Sequence, residues 1–354
     1  MSTIIVKEAR RQIEVCNACR YCEGYCAVFP AINKKRHFSD ADVTQLANLC
    51  HNCRGCYYAC QYTAPHEFAM NIPKILAEVR QKSWQDHTFP NVFAKAFHKS
   101  GVAITLATIL VFSLLLWFIK QFGGVGGGGF YSVLSHNTMV SIFSVAFIFP
   151  LFAVLISVRS YWRYIYGEPI KIQHIVETLK SIVAMKNLSG GHGDGCNFED
   201  EDRFTHHRRW MHQATMYGFL LCFAATSVAA LMYYVFSMPA PYSLFSLPKL
   251  FGISGGVLLS LGTFGMMKLK LKADRELADA SVWGGEMAFV GLLFMVSTSG
   301  LLLYLMSNSY WLTEILALHL GSVLTFFLLT PYSKMVHGFY RLASLLRDEQ
   351  IKNN

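Results

Sequence analysis

This 354-residue sequence is poor in charged residues, which make up 15% of it, against about 25% in typical soluble domains. Six apolar runs contain almost no ionisable side chain apart from Glu314 and a few histidines. The runs lie near residues 101–119, 138–158, 213–236, 250–267, 287–306 and 312–332. A helix needs about 20 apolar residues to cross a bilayer. The sequence therefore predicts a six-span membrane domain rather than a large soluble core.

The first 15 residues lack the apolar segment of a secretory signal peptide, and they include Lys7, Glu8, Arg10 and Arg11. We therefore expect the N-terminal region to stay in the cytoplasm. Disulfides are rare in that compartment, so cysteines there more often bind metals.

Motifs for nucleotide binding and for substrate chemistry are also missing. The glycine-rich stretch 123–129 has no Lys-Ser/Thr after it, and the stretch 190–195 does not follow a predicted strand. We interpret both as loops. No nucleophile or acid–base pair stands out, which favours an electron-transfer component over a substrate-oxidising subunit and leaves open whether the chain is itself an enzyme.

Basic residues are distributed unevenly around the apolar runs. The net charge is +9, yet the outer connections carry only Lys120 and Lys249, both at helix ends. The alternate connections, including the long loop 159–212, contain most of the other lysines and arginines. This asymmetry is typical of cytoplasmic loops. It predicts that both termini are cytoplasmic, and it argues against nucleic-acid binding.

Two copies of one cysteine pattern begin 34 residues apart, and each reads C-x2-C-x2-C-x3-C. This is the spacing of thiolates that hold cubane iron–sulfur clusters, in which the fourth cysteine commonly ligates the other cluster. We therefore predict two 4Fe-4S clusters. The first would be held by Cys16, Cys19, Cys22 and Cys60, and the second by Cys50, Cys53, Cys56 and Cys26.

Zinc is the alternative for these cysteines. Zinc sites usually pair two short cysteine knuckles or add histidines, and they do not need four cysteines within eleven residues twice. The proline often found after the fourth cysteine is absent, since Ala27 and Gln61 stand there. We expect a tight turn to present three sulfurs of each motif and the following helix to present the fourth.

Helical patterns surround both motifs. The segment DADVTQLANLC has helical apolar spacing after a cap at Ser39 or Asp40, and MNIPKILAEVRQK is likewise helical. The predicted class is all-α, with a helical two-cluster ferredoxin-like domain over residues 1–98. A six-helix transmembrane haem-binding bundle would follow over residues 99–354.

Four histidines are placed where they could bind b-type haem. His319 and His337 are 18 residues apart, which is five turns and about 27 Å along one helix. His212 opens the third span at its inner edge, and His136 opens the second at its outer edge. Buried imidazoles in a membrane bundle are usually functional. We pair His212 with His337 for an inner haem, and His136 with His319 for an outer one.

The alternative is that these histidines lie at the interface and bind no metal, and this alternative is strongest for His136. His206 and His207 are substitutes for the inner ligand. Arg208, Arg209 and Arg341 lie beside the inner pair, where they would neutralise haem propionates. The sequence leaves open whether one haem or two is bound.

The chain resembles the tricarballylate-utilization protein B family, also called citrate-utilization protein B. The resemblance rests on the paired cysteine motifs and on PHEFAMNIPKILAEVR at 65–80, GDGCNFEDE at 193–201, RRWMHQATMYGFLLCFAAT at 208–226 and HLGSVLTFFLLTPYSKMVHGFYR at 319–341. It implies a multi-pass electron-transfer protein of the bacterial inner membrane. Members take electrons from the reduced FAD of a partner tricarballylate dehydrogenase and pass them to the quinone pool.

The resemblance sets the expected path: partner flavin, two clusters, inner haem, quinone. The spacing of His319 and His337 also resembles, locally, the dihaem gamma subunit of respiratory nitrate reductase. The competing hypothesis is a quinol-oxidising membrane subunit of a soluble reductase, resembling heterodisulfide or nitrate reductase subunits. A membrane redox sensor is a third hypothesis, and it leaves the membrane histidines unexplained.

Overall fold

The computed structural model describes residues 3–122, 135–188, 205–274, 277 and 283–352. These residues form thirteen α-helices, a short 3-10 turn at Lys186–Leu188 and no strand. The predicted all-α class is therefore confirmed. The glycine-rich stretches 123–129 and 190–195 and the motif at 193–201 lie outside the described residues.

The N-terminal region is a small helical domain. Its helices are α1 (Ile4–Cys19), α2 (Val28–Ile32), α3 (Asp40–Leu49), α4 (Gly55–Tyr58) and α5 (Ile72–His87). Helix α3 begins with the predicted cap, because the Ser39 side chain accepts from the Asp42 backbone N–H and the Asp42 carboxylate accepts from that of Ser39. Apolar faces of α1, α2, α3 and α5 enclose one core that surrounds the cysteines.

Six helices in the described part of the chain are long and apolar enough to cross a membrane, as predicted. They are α6 (Asn91–Phe122), α7 (His136–Tyr164), α9 (His207–Tyr234), α10 (Leu247–Lys272), α11 (Trp283–Leu305) and α12 (Leu312–Leu329). Helix α6 is kinked at Ser100, whose φ of −140° and ψ of 35° are not helical. The kink separates residues 91–99 from the apolar run that begins near residue 101.

Helix α12 lies at the centre of the bundle. It packs against α6, α7 and α11, and 56% of its apolar window is buried, against 6% for α9. Helix α9 packs mainly on α10, which in turn contacts α11. Neighbouring helices therefore pack in the order α9, α10, α11 and α12, and α6 and α7 pack on α12.

The expectation that His319 and His337 lie on one continuous helix is wrong. Helix α12 ends at Leu329, and α13 (Val336–Lys352) begins after a turn. Pro331 explains the break, since a proline has no N–H to donate and its ring clashes with the carbonyl four residues earlier. His337 therefore lies on α13, outside the spans.

Helix α13 joins the two halves of the chain. Leu345 is part of the N-terminal core, and Lys34 forms an ion pair with the buried Asp348 at 2.9 Å. On another side, the hydroxyls of Ser344 and of Tyr161 on α7 are 2.6 Å apart. Helix α8 (Ile172–Val183) also packs on α13. The helix that follows the last span thus belongs spatially with the cysteine domain.

Helices α9 and α10 approach each other at glycines. A Cβ atom on Gly218 would lie 2.4 Å from the Leu259 backbone nitrogen, and one on Gly262 would lie 2.5 Å from that of Thr215. Only glycine fits at such distances. Small residues allow membrane helices to pack backbone to backbone, and this packing fixes where α9 holds its functional side chains.

We predict that Gly218→Ala destabilises the protein, because the added methyl meets backbone rather than a flexible side chain. Overpacking of this kind costs about 1–3 kcal/mol, and it should lower the thermal unfolding midpoint in detergent. Gly291→Ala in α11 is the matched control, since a Cβ there has nothing within 4 Å and alanine favours a helix over glycine. Equal midpoints for the two variants would contradict the close α9–α10 packing.

Candidate metal centres

The first cysteine cavity is lined by Cys16, Cys19, Cys22 and Cys60. Helix α1 ends at Cys19, and Arg20 then adopts a left-handed conformation with φ of 57°, which lets its N–H donate to the Cys16 carbonyl. Cys22 lies in the turn that follows. Two of these sulfurs therefore come from the last turn of a helix, whereas we expected a turn to present all three.

The second cysteine cavity is lined by Cys26, Cys50, Cys53 and Cys56. Cys50 immediately follows α3, and Cys56 lies in α4. Between them, Asn52 and Arg54 have left-handed φ values of 54° and 70°. Non-glycine residues in this region are uncommon and concentrate at functional sites. Here they turn the chain twice within five residues so that its cysteines face one space.

The structure groups the eight cysteines into the two predicted sets. Each cavity holds three cysteines of one motif and the fourth of the other, Cys60 in the first and Cys26 in the second. Neither fourth cysteine lies on a helix that follows its motif, since Cys60 comes after α4 and Cys26 precedes α2. Which cysteines ligate iron stays a prediction.

The donor sets suit a polynuclear cluster. Among the described residues, no three His, Cys, Asp or Glu side chains converge on the position of a single metal ion. Four thiols around one cavity suit a cubane, because each thiolate binds a different iron atom of the cluster. Backbone N–H groups also point at sulfur, from Asn52 to Cys50 at 3.3 Å and from Tyr62 to Cys60 at 3.4 Å. Such hydrogen bonds tune iron–sulfur centres.

The thiols of Cys16 and Cys22 in the first cavity are shielded from water. Burial, with a smaller effect from neighbouring cysteines, raises the pKa of Cys16 and of Cys22 to about 12. A metal binds the thiolate, so cluster insertion must displace protons from these groups. Iron binding is therefore expected to weaken as the pH falls.

His212 and His337 are brought together where α9 meets α13. Their ring centroids are 6.2 Å apart and their planes are nearly perpendicular, at 83°. A metal ion between two imidazoles, with bonds of about 2.0–2.1 Å, places the ring centroids about 6 Å apart. The spacing of the two rings therefore matches that of two imidazoles on one metal ion, and the inner haem stays a prediction.

The hydrogen bonds of the pair are consistent with this role. The Nδ1–H of His337 donates to the Lys334 carbonyl at 2.5 Å, which leaves Nε2 for a metal. Burial lowers the pKa of His337 to about 3, so the ring is neutral, as a ligand must be. In His212, Nδ1 is buried and has no hydrogen-bond partner among the described residues.

His136 and His319 contact different groups in the described part of the chain. The His136 ring stacks on Tyr233 with centroids 4.1 Å apart. Nδ1 of His319 hydrogen-bonds the Ser299 hydroxyl at 3.0 Å, and Gly300 leaves room for the ring, since a Cβ there would lie 3.0 Å from its Cε1. The outer haem stays a prediction.

The three arginines near His212 and His337 bind backbone carbonyls. Arg208 donates to the His51 and Asn52 carbonyls, Arg341 to the Leu49 carbonyl, and Arg209 to the Ala184 carbonyl. These contacts point the guanidinium groups at backbone, whereas we expected them to neutralise haem propionates.

Two further residues at the second cavity, His51 and Arg80, were not predicted from the sequence. His51 lines the second cavity, and its Nε2 accepts from Arg341. Burial, with the Arg341 cation, lowers the pKa of His51 well below its ordinary value. Arg80 donates to the Cys50 carbonyl. Neither His51 nor Arg80 has a local signal in the sequence. Arg208 and Arg341 are the partners of His51. Each lies four residues from an inner histidine, His212 or His337, which puts each arginine on one helix face with that histidine.

Glu286 lies close to the His337 turn. Its carboxylate is ion-paired with Lys270 and, at 2.8 Å, with Lys334. The side chain is 10% exposed, so these two cations compensate a buried charge.

A helical domain with two four-cysteine cavities, joined to six apolar helices, defines an iron–sulfur membrane protein. The profile of the citrate utilization protein B family matches residues 94–353, and that of its Fer4-like domain matches residues 9–88. The chain is 43% identical to citrate utilization protein B of Escherichia coli over 347 residues, which are 96% of this chain and 91% of that protein. No solved structure matches the chain significantly.

The chain belongs to the citrate utilization protein B family. The predicted family is thereby confirmed, and so is the ferredoxin-like nature of the N-terminal domain. Membership and the Fer4-like domain together indicate an iron–sulfur electron-transfer role.

We predict that each fourth cysteine serves the opposite motif. Cys60→Ser should remove the EPR signal that Cys22→Ser removes, and Cys26→Ser should remove the signal that Cys53→Ser removes. Each single variant should lose about half of the iron, because cubane clusters need all four thiolates for stable binding. The measurement is EPR of the reduced protein together with iron and acid-labile sulfide per chain.

Cys222→Ser is the matched control, because this cysteine lies on α9, away from both cavities, and its loss should change neither signal. A Cys60→Ser chain that loses the signal shared with Cys53→Ser would overturn the assignment.

Proposed function

We propose that this chain reoxidises the reduced FAD of a partner tricarballylate dehydrogenase, or a related tricarboxylate dehydrogenase, and passes the electrons to the quinone pool of the bacterial inner membrane. Two 4Fe-4S clusters and b-type haem would supply one-electron steps between a two-electron flavin and quinone. The observation that carries the proposal is the adjacency of the second cysteine cavity and the His212–His337 pair.

His51 lies between these two sites. It lines the second cavity and contacts Arg341, which is one helical turn from His337. Arg208 binds the His51 carbonyl at 3.2 Å and is one turn from His212. The arginines that bind the segment around the second cavity, Arg208 and Arg341, therefore lie on the same helices as the proposed haem ligands.

The first cavity lies on the side that a soluble donor can reach. Cys19 is exposed, as is the neighbouring Tyr21, with 69% of its surface accessible. The second cavity lies against α9 and α13 instead, through the bonds to residues 49–52. This arrangement supports an order in which the first cavity receives electrons and the second delivers them to the membrane.

The direction towards quinone is supported by the relative's name. The Escherichia coli protein is named for citrate utilization, and the oxidation of a tricarboxylate by a dehydrogenase releases electrons. We therefore favour electron flow from an oxidised tricarboxylate to quinone over the quinol-oxidising alternative.

We predict that the purified protein shows a b-type α band in the reduced-minus-oxidised spectrum. His212→Ala and His337→Ala should each remove the inner haem, because one axial ligand alone holds it weakly. His37→Ala is the matched control, since His37 is exposed in the N-terminal domain and its loss should leave the band unchanged. A wild-type protein without a b-type band would end the haem proposal.

We also predict that membranes lacking this chain contain partner flavin that tricarballylate reduces but quinone does not reoxidise. Adding back the wild-type chain should restore quinone reduction, whereas adding a Cys50→Ser chain should not. The measurement is flavin absorbance and quinone reduction in one anaerobic sample. Normal quinone-linked turnover without the chain would contradict the proposed function.

A further inference from the structure

Three arginines from three helices bind four consecutive carbonyls beside the second cavity. Arg341 of α13 donates to the Leu49 carbonyl at 2.7 Å, and Arg80 of α5 donates to that of Cys50 at 2.8 Å. Arg208 of α9 donates to the carbonyls of His51 at 3.2 Å and Asn52 at 3.0 Å. We call Arg80, Arg208 and Arg341 the arginine clamp.

The carbonyls are available because of the local backbone. Helix α3 ends at Leu49, and the last carbonyls of a helix have no intrahelical partner. The left-handed Asn52 then turns the chain, so the following carbonyls also point away from regular structure. Buried carbonyls need donors, and the clamp supplies them from outside the segment.

The clamp concentrates positive charge at the second cavity. Arg80 is 8% exposed, and among the described residues no carboxylate forms an ion pair with any of the three arginines. Buried cations without a counter-charge are costly. The thiolates of Cys26, Cys50 and Cys53 are able to carry compensating negative charge, and they interact electrostatically with Arg341.

The two cavities differ in the charged groups that act on their thiols. Each is lined by one arginine, Arg20 in the first and Arg54 in the second. Arg341 acts electrostatically on Cys26 and Cys50 of the second cavity, whereas neighbouring cysteines act on Cys16 and Cys22 of the first, where Cys19 is exposed. Water screens charges at such a site, whereas buried charges interact far more strongly. The two cavities therefore present different electrostatic environments to clusters of the same kind.

Resting on the proposed function, we propose that the arginine clamp raises the reduction potential of the cluster in the second cavity above that of the cluster in the first. A cubane held by four thiolates is anionic and becomes more negative when it accepts an electron. Fixed positive charge stabilises the reduced form more than the oxidised form, and net charge and hydrogen bonding set cluster potentials. The electron would then rest on the cluster nearest the haem histidines.

The arginine clamp also links the reduction potential of the second cluster to the position of the proposed haem ligands. Arg208 lies four residues before His212, and Arg341 lies four residues after His337, so each shares a helix face with a proposed haem ligand. Helices α9 and α13 therefore contribute positive charge at the second cavity, and they also hold this cavity next to His212 and His337. Arg80, Arg208 and Arg341 are positioning residues, since they act through the cysteine segment.

The test is a potentiometric EPR titration of both clusters in the purified full-length protein. Arg341→Gln and Arg208→Gln should each shift one midpoint to lower potential, namely that of the signal lost in Cys53→Ser, and leave the other midpoint unchanged. Arg341→Lys retains the charge without the forked hydrogen bonds and should shift the same midpoint less. Arg209→Gln is the matched control, because Arg209 binds the Ala184 carbonyl instead, and it should shift neither.

Unchanged midpoints in Arg208→Gln and Arg341→Gln, with full iron content, would overturn the proposal. Equal shifts of both clusters would overturn it as well, and so would a wild-type second cluster with the lower potential. If Arg341→Gln fails to assemble a cluster, Arg208→Gln still decides the matter. The titration uses neither donor nor quinone, so failure of the proposed electron path would leave its result intact.

Discussion

The rest of the structure depends on the packing of residues 49–52 against α9 and α13, where arginines of both helices bind backbone carbonyls of this segment. Without it, the cysteine domain would be joined to the bundle through α5, α6 and the outer faces of α13, but its second cavity would have no fixed neighbour. The rate of electron transfer falls steeply with distance, so the centres of a relay must be kept at fixed short distances from one another. The guanidinium–carbonyl bonds supply that rigidity where the backbone lacks hydrogen-bond partners of its own.

Buried charge governs the region around this contact. The ion pairs of Glu286 with Lys270 and Lys334 show how the end of the bundle that faces the cysteine domain compensates charge that water does not reach. The neutral His337, which donates to the Lys334 carbonyl, belongs to the same group of side chains. The end of the bundle that faces the cysteine domain is thus a polar layer between the apolar spans and the cysteine core, and both proposed kinds of metal centre meet there.

Much of this organisation could be predicted because it depends on short-range patterns. The apolar runs gave the spans, and Ser39 with Asp42 formed a capping box that starts α3 as expected. The crossed grouping of Cys26 and Cys60 followed from spacing alone. Each of these features is encoded within a few turns of chain, where periodicity and capping chemistry apply.

The features that escaped prediction depend on contacts across long stretches of chain. Arg80 and His51 had no local signature, since their partners come from α3, α9 and α13. The break at Pro331 was a different kind of error, because an apolar run and a regular histidine spacing outweighed a local helix breaker. Because His337 lies on α13, it is at the junction with the cysteine domain. This position favours its pairing with His212, and it puts His337 on a different helix from His319.

The most direct test of the central claim follows electrons between the centres. Purified oxidised protein is mixed anaerobically with photoreduced deazaflavin, and iron–sulfur absorbance and the haem α band are recorded in one time course. The relay predicts that haem is reduced only after the iron–sulfur absorbance has fallen, and that a Cys53→Ser chain that still binds haem reduces it at least about tenfold more slowly, a difference of about 1.4 kcal/mol in barrier. Haem reduction at an unchanged rate in that chain would contradict the relay.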